Sequence, residues 1–152
     1  MGLLSFIKGV GEKVFKKEEV TVPADDLEPL RASALLAHVK SLGLAYNNLA
    51  IKVSADMVIL EGEVAKQEDA EKIALAVGNV EGVQTVDDRL KVANPAPAAT
   101  YHTVKSGDTL SQIALTVYGD MHKFPLIFEA NRPMLSDPDK IYPGQVLRIP
   151  VL

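Results

Sequence analysis

The stretch Tyr101-His-Thr-Val-Lys-Ser-Gly-Asp-Thr-Leu110, continued by Ile113-Ala114, Tyr118-Gly119, Ile127-Phe-Glu-Ala-Asn131 and Ile141-Tyr-Pro-Gly-Gln-Val-Leu-Arg-Ile-Pro150, decides the fold of the last third of the chain. Thr100 to Val104 alternates as a strand, and Asp108 or Thr109 offers a side-chain oxygen to the free amides of a helix running to Val117. A second helix is expected from about Phe124 to Asn131 and a returning strand from Gln145 to Ile149. Pro133, Pro138 and Pro143 keep the connection between them from being helical. The resulting order is βααβ.

These residues and spacings resemble a LysM module over about fifty residues, a far more specific match than a lone short motif. The resemblance implies affinity for amino-sugar glycans of peptidoglycan or another envelope polymer, with Gly107, Asp108, Thr109, Leu110, Asn131, Arg132 and Pro133 lining the groove. Such a role belongs outside the cytoplasm, and the beginning of the chain argues against export. Leu3, Leu4, Phe6 and Ile7 are interrupted by Ser5 and followed by Lys8, too short an apolar run for a secretory signal. Phe6 stands where a myristoylation signal needs Ser or Thr, and no apolar run is long enough to span a membrane. A cytoplasmic protein is expected.

Upstream, Ala93-Asn-Pro-Ala-Pro-Ala-Ala99 favours extended backbone and has no packing face, which marks 93–99 as a linker between domains 23–92 and 100–152. In the first of these, Leu27, Leu30, Ala34, Leu35, Val39 and Leu42 recur at helical spacing, with Gly43 as the stop. Leu49, Ile51 and Val53 alternate with Lys52 and Ser54, and Val58 to Val64 follows a turn at Ala55-Asp56, predicting a hairpin. A second helix is expected over about Gln67 to Val77, with Ala70, Ile73, Ala74 and Val77 inward and Lys66, Asp69 and Lys72 outward. Val83 to Val92 then alternates as the last strand. This αββαβ order, and the run Ala76-Val-Gly-Asn-Val-Glu-Gly-Val-Gln-Thr-Val-Asp-Asp88, resemble a BON domain. The fold class expected is therefore α+β, two small domains in which a BON-like αββαβ sandwich precedes a LysM βααβ unit.

Charge and composition exclude several functions. The net −4 is spread as +1 over residues 1–22, −5 over 23–99 and zero over 100–152, so no segment has the basic footprint of a nucleic-acid binder. Without cysteine there is no disulfide, thiolate ligand or thiol nucleophile. His38, His102 and His122 lack zinc-site spacing, and Ser106 and Asp108, which could be assembled on paper with His102, flank a turn where such groups cap backbone amides. The pairs Asp25-Asp26, Glu68-Asp69 and Asp87-Asp88 lack the ligand spacing of a calcium loop. An enzyme is not expected.

Residues 1–22 form an apolar segment expected to pack on the first domain, and Leu3, Leu4, Phe6, Ile7, Val10, Val14 and Phe15 fall at helical spacing. A covering helix is the simplest reading. A membrane-surface helix is weakened by the mixture of Glu and Lys. This segment, one BON-like domain, a Pro/Ala linker and one LysM-like domain together resemble the bacterial cytoplasmic potassium-binding proteins of BON-plus-LysM architecture, over nearly the whole chain. That resemblance implies a potassium sensor or buffer, monomeric, whose two domains dock when the ion binds. It further implies that K+ is held by backbone carbonyls, which by motif fall at Ile7, Val10, Glu12, Gly78, Val80 and Val83. The alternative reading of Gly78 to Val83 is a plain helix-to-strand turn.

Overall fold

The computed structural model describes residues 2–15 and 24–151, residues 24–26 by backbone alone. Helix α1 spans Ala24–Ser41, burying Leu35 and Val39 one turn apart, and ends where Gly43 takes a left-handed conformation. Strands β2 (Asn48–Ser54) and β3 (Met57–Lys66) form the expected antiparallel hairpin around Ala55 and Asp56. Helix α2 (Gln67–Gly78) then crosses over to β4 (Thr85–Asn94), which lies parallel to β3 with Val58 opposite Val86. Val58, Leu60, Val64, Val86 and Leu90 alternate inward beneath α2 and are at most 1% exposed.

The N-terminal segment departs from the helix that its spacing suggests. Gly2–Ser5 is instead strand β1, antiparallel to β4 with Leu3 opposite Asp87 and Ser5 opposite Thr85, giving the sheet order β1-β4-β3-β2. Pairing covers an edge of β4 that a helix would have left with unpaired amides and carbonyls. Gly9 and Gly11 also oppose a helix, and Gly11 sits at φ 127°, a backbone conformation open to glycine and not to side-chain-bearing residues. Residues 6–15 are an irregular loop, and 16–22, the rest of the segment expected to pack on the first domain, lie outside the described residues.

The second unit has the expected βααβ order: β5 (Thr100–Thr103), α3 (Leu110–Tyr118), a short 3-10 turn (Met121–Lys123), α4 (Phe124–Ala130) and β6 (Val146–Ile149), with β5 and β6 antiparallel. The Thr109 hydroxyl caps α3 by accepting from the Gln112 amide at 3.2 Å. Its core is Val104, Leu110, Ile113, Ala114, Ile127, Leu135, Leu147 and Ile149.

The two units share a seam. Val146 joins the buried cluster of the first unit, with Tyr101 and Met134 packed partly against it. Across the seam Arg148 donates from Nε and Nη2 to Glu71 Oε1, at 3.0 and 2.8 Å, with side chains 8% and 4% exposed. The second Glu71 oxygen accepts from the Ala99 amide at 3.1 Å, and Arg148 Nη1 donates to Ala130 O at 3.1 Å. The pair is thus fully hydrogen-bonded, the condition for tolerating two desolvated charges. Ala99, at the end of the expected linker, is 7% exposed and bound to the first unit.

Removing one partner strands the other. Arg148→Met should cost about 3–5 kcal/mol in urea unfolding, whereas Arg148→Met combined with Glu71→Leu should recover most of that loss.

Candidate functional site

The last turn of α2 ends in free carbonyls, as every helix does, and the chain that follows does not close them. Only the Asn79 amide completes the helical pattern, donating to Leu75 O at 2.9 Å. The next amides turn outward to the N-terminal loop, where Glu81 N donates to Glu12 O at 2.9 Å and Gly82 N to Lys8 O at 2.8 Å. In return Glu12 N donates to Asn79 O at 2.8 Å, so that Glu12 and Val80 form an isolated parallel bridge. Phe6 N donates to Gln84 O at 2.7 Å at the other end of the loop. Two segments distant in sequence are stitched together along their main chains.

Two glycines permit this approach. A Cβ on Gly78 would lie 2.0 Å from the Phe6 ring, and one on Gly11 would lie 2.3 Å from Asn79 O. The other side of the loop faces the second unit: a Cβ on Gly144 would lie 2.6 Å from Val10 Cγ2 and 3.3 Å from Ile7 Cδ1. The loop is held between the α2–β4 turn and the second unit.

The structure brings the six expected carbonyl-bearing residues into these two apposed segments, and their carbonyls differ in occupancy. Among the described residues no hydrogen bond reaches the oxygens of Val10, Gly78 or Val83. Ile7 O accepts one long bond from Val10 N at 3.3 Å and Val80 O one from Val83 N at 3.1 Å. Glu12 O accepts two, from Val14 N at 3.0 Å and Glu81 N, which engages both of its lone pairs. Gly78 is buried and Val83 only 1% exposed, and a buried carbonyl without a partner costs about 1–3 kcal/mol. Electrostatics act in the same direction. The C-terminal end of α2 has no basic residue in its last turn, leaving the partial negative charge of the helix unanswered. The Glu12 carboxylate adds a full charge: after burial, it is the cause that holds the Tyr142 phenol up to about 12, and it partly offsets the burial that lowers His38. Among the described residues no three His, Cys, Asp or Glu side chains gather as a metal cluster.

The residues of the expected glycan groove divide. Gly107 and Thr109 are exposed, whereas Leu110 is 2% exposed and Asn131 1% exposed. The Asn131 amide is consumed inside the unit, donating to Ile127 O and Arg148 O and accepting from Arg148 N. Arg132 stacks over Phe128 at 5.5 Å, and Arg132 and Pro133 line a crevice shared with Leu44, Lys72 and Leu75 of the first unit. Asp108 accepts from Lys105 N at 2.9 Å and from His102 Nε2 at 3.1 Å, bonds that hold its carboxyl below the usual range and serve the turn. Ser106 makes no hydrogen bond to that pair.

Both units match known protein families. Residues 29–94 match the BON domain family and residues 102–150 the LysM domain family. The potassium binding protein Kbp of Escherichia coli O6:H1 is 44% identical over 151 residues, covering 99% of both chains. The chain belongs to the BON–LysM family of that protein. An uncharacterized protein of Deinococcus radiodurans is 37% identical over 131 residues, 78% of this chain and 51% of its own. The esterase Rv1288 of Mycobacterium tuberculosis shares only 53 residues at 47% identity, 11% of its length.

The family pattern does not announce Asn79. An asparagine after a helix-ending glycine reads as a turn former, yet Asn79 is 4% exposed. Its Nδ2 donates to Val146 O at 2.8 Å and its Oδ1 accepts from Val146 N at 2.8 Å, so one side chain pairs with the edge of β6 as a strand would. Gly11→Ala should push the loop off Asn79 O. Amide exchange at Glu12, Glu81 and Gly82 should then quicken at least tenfold, while the amides of α3 keep their protection.

Proposed function

We propose that the chain is a non-enzymatic, monomeric potassium-binding protein of the cytoplasm, a sensor or buffer that holds K+ where the N-terminal loop meets the α2–β4 turn. The observation that carries this reading is the set of carbonyls without partners among the described residues, at Val10, Gly78 and Val83, on two segments that the main-chain bonds of the loop join at a helix end that favours positive charge. The Escherichia coli relative, a potassium binding protein matched along its whole length, supports the choice of ion.

The chemistry favours K+ over its neighbours. A large, weakly hydrated cation exchanges its water shell for neutral carbonyls at modest cost, whereas Mg2+ demands short octahedral contacts and releases water reluctantly. Ile7 and Val80 would complete the cage by giving up or sharing long hydrogen bonds, and Glu12, already doubly bonded, would contribute least as a carbonyl and most as a charge. Coupling to the second unit follows from Asn79. An ion that orders Gly78 to Val83 also orders the side chain gripping Val146, so the docked arrangement gains whatever affinity difference it has for the ion.

Calorimetry of the full chain should give saturable heat with K+ and with Rb+, and at least tenfold weaker binding of Na+. Deleting residues 1–12 should abolish most of the heat while leaving the LysM unit folded. Equal binding of sodium and potassium, or unchanged affinity after the deletion, would contradict the proposal.

A further inference from the structure

The Asn79 side chain makes one bond that its pairing with β6 does not use. Val146 N donates to Oδ1, which fixes the orientation of the amide, and one Nδ2 hydrogen goes to Val146 O at 2.8 Å. The other goes to Met134 Sδ at 3.3 Å. Met134 packs partly against the buried clusters of both units and lines the crevice at their seam with Leu44, Lys72 and Leu75 of the first unit. It remains partly exposed. A thioether is a weak acceptor and an oxidisable group, and here it rests against the side chain that grips β6.

From this contact we infer that Met134 is a reversible oxidation site whose sulfoxide opens the seam between the units. The oxidant is a hydroperoxide, in the simplest case hydrogen peroxide. The sulfur lone pair attacks one peroxide oxygen, the S–O bond forms as the O–O bond breaks, and the second oxygen leaves as water with both hydrogens. Sulfur is oxidised and peroxide reduced by the same electron pair. The product puts a polar group with a strong acceptor oxygen where a soft apolar one was packed. In the docked arrangement that oxygen must find space between two packed cores, beside an amide whose other hydrogen already holds Val146 O. With the seam open, water solvates it. Oxidation therefore favours the open arrangement, through the difference in its cost between the two. The chain has no cysteine, so sulfur oxidation falls on its four methionines. Met121, 45% exposed on the 3-10 turn, and Met57, at the start of β3, are not among the side chains packed against either cluster.

The test treats the full chain with hydrogen peroxide at one fixed KCl concentration, follows each methionine by peptide mass spectrometry and reads docking by amide exchange. Conversion of Met134 should quicken exchange at Val146, whose amide Asn79 holds, at least tenfold, while Ile113 in α3 keeps its protection. Methionine sulfoxide reductases supplied with a dithiol should restore the slow exchange. Met134→Leu, which keeps the apolar volume, should stay docked and lose the sensitivity to peroxide, and Met121→Leu should retain it. Met134→Gln should quicken Val146 exchange with no oxidant present. Slow Val146 exchange in a chain whose Met134 is fully converted, an equal response of Met134→Leu, or a Met134 that stays reduced after Met57 and Met121 are converted would overturn the inference. Because docking alone is read, at constant KCl, failure here leaves the potassium reading standing.

Discussion

Asn79 is the point at which three parts of the chain meet. Its carbonyl accepts from the N-terminal loop, its amide ends α2, and its side chain pairs with both main-chain groups of Val146 in the second unit. None of these bonds reaches water easily, since the residue is 4% exposed, so losing any one leaves a buried group unsatisfied. The turn therefore cannot rearrange alone. Its geometry, the loop that closes over it and the edge of β6 are one mechanical unit, and this is the route by which the proposed ion would act on the second unit.

The seam beside this point explains why α2 is buried almost all round. The sheet takes Ala70, Ile73, Ala74 and Val77, the face that its periodicity marks as inward. Glu71, Leu75 and Ala76 are covered too, as the second unit closes over the helix with Arg148, Met134 and Val146 among its contributions. The docked pair of units is held by a desolvated ion pair and an apolar contact. The ion's proposed effect is a shift in the population of this interface, through differential affinity for the two states.

Much of this was legible in the residues. The order of helices and strands in both units, the hairpin turn at Ala55-Asp56, the stop at Gly43 and a cap at Asp108 or Thr109, which the structure places at Thr109, all follow from period, turn chemistry and capping. The N-terminal segment misled because Leu3, Leu4, Phe6, Ile7 and Val10 fit a helical stripe, while the competing term, an unpaired edge of β4, is a property of the tertiary structure. Gly9 and Gly11 were the signal against the helix. Leu75 and Ala76, apolar residues on the expected outer face of α2, were the trace of a second surface to be covered. The partners of Glu71 and Asn79 had no local signal, because Arg148 and Val146 lie 77 and 67 residues away.

The turn's carbonyls were reached through resemblance, and their hydrogen-bond occupancy gives that expectation its physical basis. Val10, Gly78 and Val83 are open, Ile7 and Val80 half engaged, and Glu12 filled. The most direct measurement is anomalous diffraction from crystals of the full chain grown with Rb+ in place of K+. The account predicts one strong peak enclosed by the carbonyls of Ile7, Val10, Gly78, Val80 and Val83, with the Glu12 carboxylate outside the coordination shell. A peak seated on carboxylates, or a turn left without density while the protein is saturated with ion, would contradict it.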